Sequence, residues 1–241
     1  MVTIKWAWNS SEGSSAHGMA IEVAGIDPVP ALKHISSTRN KNNDDRHFIS
    51  CPAFVDFFKN TYYILSPYDE HIVIDRQNGN TIAVNEFSQK MFDTYVLNRG
   101  KWVHNSEPYQ LSLPPRIVFW SDESVVMESF PALQSTSVHN NIMPIPGTFN
   151  ISKWIRPIDF TFEIIDDTKP IIIKRGDPLF CVRFLTENGE RVELERTLQD
   201  ERLEKAMTSC LFTKQMIRKK PFNQLYDMAR PYLKLLGFGK K

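Results

Sequence analysis

The residues best equipped for chemistry are scattered through the 241-residue chain rather than gathered into motifs. Of the six histidines, His17, His34, His47, His71, His104 and His139, none is followed two residues later by an acid, which removes the His-x-Asp or His-x-Glu opening of an iron(II) facial triad. Cys51, Cys181 and Cys210 stand far apart and are odd in number. They supply neither the Pro-Cys-x-x-Cys pair of a zinc deaminase nor a closed disulfide framework, and a reducing compartment fits them best. No Walker loop, GxGxxG fingerprint or GxSxG elbow occurs. The acid pairs Asp44-Asp45, Asp122-Glu123 and Asp166-Asp167 fall where turns are expected, and turn chemistry accounts for them. A metal centre would need side chains gathered in space: on a cupin-like sandwich the candidates are His71, His104 and His139, with a divalent metal as cofactor. Without that gathering the sequence calls for no cofactor.

Binding chemistry has more to work with. Trp6, Trp8, Trp102, Trp120 and Trp154 offer rings that stack on bases or sugars, although strand tryptophans ordinarily belong to a core. Trp154, Arg156 and Asp159 lie close together and combine an aromatic face, an anion-binding guanidinium and a carboxylate; these three are the ligand-binding candidates. The competing reading has Trp154 packed and Arg156 paired with Asp159. Lys214, Arg218, Lys219 and Lys220 offer contacts to nucleic acid phosphates, and equally suit the negative end of a helix dipole.

These side chains are carried mostly by strands. Residues 2–8 alternate Val2, Ile4, Trp6 and Trp8 with Thr3, Lys5 and Ala7, the period of a half-buried strand. Residues 35–50 are almost wholly polar and read as a surface loop, with Ser50 as cap of a short helix whose Pro52 sits in the first turn. TYYIL, a turn at Ser66-Pro67-Tyr68-Asp69, HIVID, Asn78-Gly79 and TIAV predict an antiparallel meander. The spacing of Phe87, Met91, Phe92, Tyr95 and Val96 predicts a helix over about 86–97. PYQLSL, RIVFWS and SVVMESF follow as strands, punctuated by Pro114-Pro115 and Ser121-Asp122-Glu123. Four more strands, 158–165, 170–174, 179–185 and 191–196, crowd into forty residues, with Asn188-Gly189 marking a second tight hairpin. From Thr197, read as a cap, one amphipathic helix carries Leu203, Ala206, Met207, Cys210 and Leu211. A second begins at Pro221 with Phe222, Leu225, Tyr226, Ala229, Leu233 and Leu236 on one face, broken or restarted at Pro231 and stopped at Gly237.

Residues 146–185 have a particular shape: a Pro-Gly opening, an alternating strand, an acidic turn, an Ile-rich strand, Lys174-Arg175-Gly176-Asp177 and a closing apolar strand. This order resembles the later strands of trimeric dUTPases and dCTP deaminases, the β-clip fold. The catalytic parts of that family are missing: Phe149 stands near the place of its uracil-stacking tyrosine with no Asp ahead of it, and Ser135-Thr136-Ser137 has no adjacent Arg. The chain as a whole, above all WIRP and KRGDPLF, also resembles uncharacterised proteins of marine tailed bacteriophages, which implies a viral origin and no particular activity.

The fold expected is therefore mainly β, an antiparallel β-sandwich or barrel of β-clip or cupin-like kind, with inserted short helices and a C-terminal helical extension. Residues 1–196 form the β-rich body and 197–241 the extension. At 41% apolar and 24% charged the composition is globular, and 29 Lys+Arg against 28 Asp+Glu gives a net charge of only +1. That balance hides a segregation. The last 42 residues hold ten cations and four acids, a net of +6, which leaves −5 on the rest. The N-terminus lacks a signal-peptide pattern and no window approaches about 18 apolar residues, so a cytoplasmic protein with no membrane partner is expected. The function expected is non-enzymatic: a binding or structural protein, a phage structural or accessory component that associates with itself or another protein, with nucleic acid contact confined to the basic tail. The alternative is an enzyme on a cupin-like or β-clip sandwich using a metal or a nucleotide substrate.

Overall fold

The inward set Val2, Ile4, Trp6 and Trp8 places β1 (Val2–Trp8) against a buried core in the computed structural model, which describes residues 1–9, 25–38, 48–75, 80–83, 97–101, 109–133, 140–217 and 220–238. The first sheet runs in the order β14 (Val192–Arg196), β1, β7 (Tyr109–Trp120), β11 (Pro157–Ile164), β9 (Ile142–Pro144), with β6 (Leu97–Lys101) also paired to β7. The second runs β10 (Gly147–Asn150), β8 (Val125–Pro131), β13 (Pro178–Thr186), β3 (Thr61–Leu65), β2 (Val29–Pro30). A small third sheet holds β12 (Ile171–Ile173), β4 (Glu70–Asp75) and β5 (Asn80–Ala83). Among the described residues every strand pairing is antiparallel except that of β1 with β14.

The two larger sheets face each other across one apolar core. Ile4, Phe119, Phe160 and Phe162 from the first meet Ile64, Met127, Val182 and Phe184 from the second. Phe119 and Phe184 meet edge to face at 5.2 Å and Phe160 stacks on Phe180 at 5.8 Å, geometries that add to a burial of roughly 1.5–3 kcal/mol per aromatic side chain. The fold is a mainly β, sandwich-like arrangement, and among the described residues no barrel closes.

Both outer faces are covered by helices. Tyr63, Leu65 and Cys181, on the outside of the second sheet, pack with Ala31 and Ile35 of α1 (Ala31–Thr38) and Phe58 of α2 (Pro52–Phe58). Ala7, Val118 and Trp120, on the outside of the first, pack with α3 (Glu201–Met216) and α4 (Phe222–Leu235). The C-terminal helices thus dock on their own β-sheet.

Several local expectations change. Pro114-Pro115 does not separate two strands: β7 runs on through it, and the missing N–H groups appear as a register shift between Ile158 and Phe160 of β11. The Ser66 corner does not make a meander. Both edges of β3 are already taken by β2 and β13, so the chain leaves for the third sheet, and of the three expected meander strands β4 and β5 pair with each other while β3 does not join them. Gly189 does adopt φ +68° in a tight turn, yet β13 and β14 on either side of it belong to different sheets. Ile35–Thr38 belong to α1 rather than to a loop, because Ile35 is buried beneath it. The cap of α2 is Cys51, without a side-chain bond, and that of α3 is Asp200, whose carboxylate accepts from the Leu203 N–H at 2.7 Å. Thr197 instead donates its N–H to the Trp6 carbonyl. α4 runs unbroken through Pro231 and ends in a Schellman turn, Phe238 N–H to Leu233 O and Gly237 N–H to Lys234 O, with Gly237 at φ +82°. The helix expected over 86–97 and the Asn78-Gly79 turn lie outside the described residues, apart from Leu97, which begins β6.

Candidate functional site

The residues singled out from the sequence do not converge on one site. Trp154 is fully buried between the first sheet and α4, its ring 6.1 Å from Phe222 and 6.2 Å from Tyr226, so both aromatic neighbours cover the face it would offer a ligand. Its indole N–H is buried with no hydrogen-bond partner among the described residues. Half-buried Arg156 donates from Nε to the Pro157 carbonyl at 3.2 Å, and its guanidinium lies 6.0 Å from the Phe149 ring. Asp159 sits at the proline-induced register shift of β11. Of the metal candidates, exposed His71 is on β4 opposite Ile172, whereas His104 and His139 lie outside the described residues. Among the described residues no three His, Cys, Asp or Glu side chains come together as a metal site. Trp6, Trp8 and Trp120 are core residues, and Trp102 lies outside the described residues.

What the fold does build is a groove of about 630 Å³ along α4. Its helical wall presents Asn223, Asp227, Arg230 and Lys234, at spacings of four, three and four that fall on one stripe. Its other wall comes from three turns of the sandwich: Glu123 and Ser124 after β7, Ser152 and Lys153 after β10, and Glu187 after β13. Tyr226, Leu233 and Phe238 contribute the apolar part of the lining.

A chain of hydrogen bonds holds the two walls together near the N-terminal end of α4. Asn150 donates its N–H to the Tyr226 hydroxyl at 2.8 Å and its side-chain amide to Ser124 Oγ at 3.3 Å, while the Ser152 hydroxyl and N–H both donate to Asn150 Oδ1. Burial pushes the Tyr226 phenol up, with the Asn150 N–H opposing, so Tyr226 stays protonated and keeps its own O–H as a donor. Arrangements of this sort can hold a polar ligand by hydrogen bonds and charge.

α4 carries a third stripe as well. Leu225, Ala229 and Leu233 face the core, whereas Met228, Tyr232 and Leu235, spaced at i, i+4 and i+7, are 50%, 51% and 81% exposed. On α3 the buried set is Leu203, Ala206, Met207 and Cys210, and Phe212 and Met216 point away from it into solvent. Sequence reading found the core stripe and passed over the other two. Both were visible as helical spacings within residues 222–235, but nothing local says which polar or apolar stripe meets a wall and which meets water.

Comparison with known protein families returned no matching family, and none of the curated proteins matches the chain.

Proposed function

We propose that this chain is a binding protein rather than an enzyme, and that it associates with a second copy of itself through the outer side of the α3–α4 hairpin, as a structural or accessory component of the kind its phage-like sequence suggests. The observation that carries this is the surplus of exposed apolar side chains on the hairpin: Phe212, Met216, Met228, Tyr232 and Leu235. At roughly 200 Å² per such side chain, their exposed fractions sum to on the order of 600 Å², the top of the range for a monomer's apolar patch and most of the ~800 Å² per partner in a standard interface. The hairpin's own core stripe is already used on the first sheet, so this surface is left for another molecule.

Charge supports a second copy as the occupant. The last 42 residues carry +6 and the rest −5, so the extension of one copy is complementary to the body of another. Sedimentation equilibrium at low and high salt tests the reading. The wild type should form dimers or larger species that weaken with salt. Tyr232→Glu combined with Leu235→Glu should be monomeric with unchanged thermal unfolding, because both side chains are exposed. A wild type that stays monomeric at high micromolar concentration in low salt, or a double variant that associates equally well, would overturn it.

A further inference from the structure

We infer that the groove between α4 and the sandwich turns binds a short extended peptide segment of a partner protein, one that carries both an acidic and a basic side chain. The groove stripe lies on a different side of α4 from Met228, Tyr232 and Leu235, so this site is separate from the self-association surface and goes beyond it.

Three cations, Lys153, Arg230 and Lys234, and three acids, Glu123, Asp227 and Glu187, line the groove. Among the described residues none of these six is in an ion pair, although Lys5 with Asp122, Arg183 with Glu128, Arg196 with Asp27 and Lys205 with Glu201 pair elsewhere on the surface. Charges of both signs that line one groove without pairing to each other are complementary to a ligand that brings both signs itself. A phosphate-rich ligand such as a nucleotide would set its oxygens against the three carboxylates, and the acids are not gathered as a cation site. Ser124, Ser152, Asn223 and the Tyr226 hydroxyl add the neutral donors and acceptors that a peptide backbone needs. From Asn223 to Lys234 the helix rises about 16 Å, the length of about five extended residues. The hydrogen bonds from Asn150 to Tyr226 and Ser124 hold the walls in place before a ligand arrives, which lowers the entropy cost of binding.

A random hexapeptide library displayed on a surface and selected on the full-length protein tests this, with counter-selection on Arg230→Glu combined with Lys234→Glu. Both side chains are exposed, so the variant should melt at the wild-type temperature. Enriched peptides should each carry an acid and a base, and a synthetic copy should bind the wild type about tenfold or more tighter than the variant, with affinity falling as salt rises. The same selection on Tyr232→Glu/Leu235→Glu should return the same peptides, so failure of one proposal leaves the other standing. No enrichment over the counter-selected variant, or enriched peptides lacking one of the two charges, would overturn the inference. So would displacement of the peptide by ATP or inorganic phosphate at concentrations where a charge-matched salt has no effect, which would make the groove an anion site.

Discussion

Replacing Trp154 separates the packing of the C-terminal hairpin from the stability of the sandwich. The side chain is completely buried, wedged between the first sheet and α4, and contacts Phe222 and Tyr226 edge-on or tilted. Trp154→Ala should cost about 3–5 kcal/mol, the range for emptying an aromatic site that cannot collapse, or on the order of 10 °C in Tm for a chain of this length. Trp154→Phe is a sharper test. It opens a smaller cavity, worth about 1 kcal/mol, and removes an indole N–H that is buried without a partner among the described residues, which itself costs about 1–3 kcal/mol to bury. The net change should therefore lie between neutral and about 2 kcal/mol more stable. Urea unfolding gives both values, and native-state hydrogen exchange locates the effect: Trp154→Ala should lose protection in residues 201–235 first, while β3, β8 and β13 keep theirs. An alanine variant that costs less than about 1 kcal/mol, or that loses protection evenly across sandwich and hairpin, would refute the claim that Trp154 anchors the hairpin.

Three further outcomes follow from particular residues. Gly176→Ala should cost about 1–2 kcal/mol in thermal unfolding, although a Cβ there meets nothing within 4 Å, because Gly176 is held at φ +88°; an unchanged Tm would contradict this. Hydrogen bonds depress two half-buried carboxylates: Glu190, held at about 2 first by its own backbone N–H and then by Thr186 and Asn188, and Asp166, lowered first by the Thr168 side chain and then by Lys169. A depressed folded-state pKa contributes stability that is present above the unfolded value and lost as pH falls through the folded one, so Tm should drop between about pH 4.5 and pH 2 and drop less in Glu190→Gln; equal slopes would remove the assignment. With a neutral aromatic disulfide reagent at pH 8, exposed Cys51 alone should react in the native protein, since burial pushes Cys181 up to about 12 and Cys210 up to about 11; all three should react in denaturant, and native labelling of either buried thiol would count against the packing.

The strand content was legible because it is written locally. Alternation in Val2–Trp8, the apolar run Thr61–Leu65 and the positive-φ glycines at 176, 189 and 237 each state a conformation within a few residues. Pairing was not legible. The Asn188-Gly189 turn is legible, but its flanking strands do not pair with each other: β13 lies between β3 and β8, and β14 joins β1 at the other end of the chain. The cap of α3 was missed for a smaller reason: Thr197 and Asp200 both fit the cap composition, and the choice went to Asp200 because the Thr197 N–H was already bonded to Trp6. Trp154 was read as either a ligand platform or core, and only the burial by Phe222 and Tyr226 decides where it lies.

By itself the sequence determined the mainly β class, the two amphipathic C-terminal helices and the segregation of charge between extension and body, because periodicity and composition are properties of contiguous residues. The tertiary structure alone decided that the extension docks on its own first sheet, and that Glu123, Lys153, Glu187 and Arg230, drawn from three turns and a helix, share one groove. Which faces meet depends on contacts between residues far apart in the chain, and their free energy depends on how the sheets stack rather than on any local pattern.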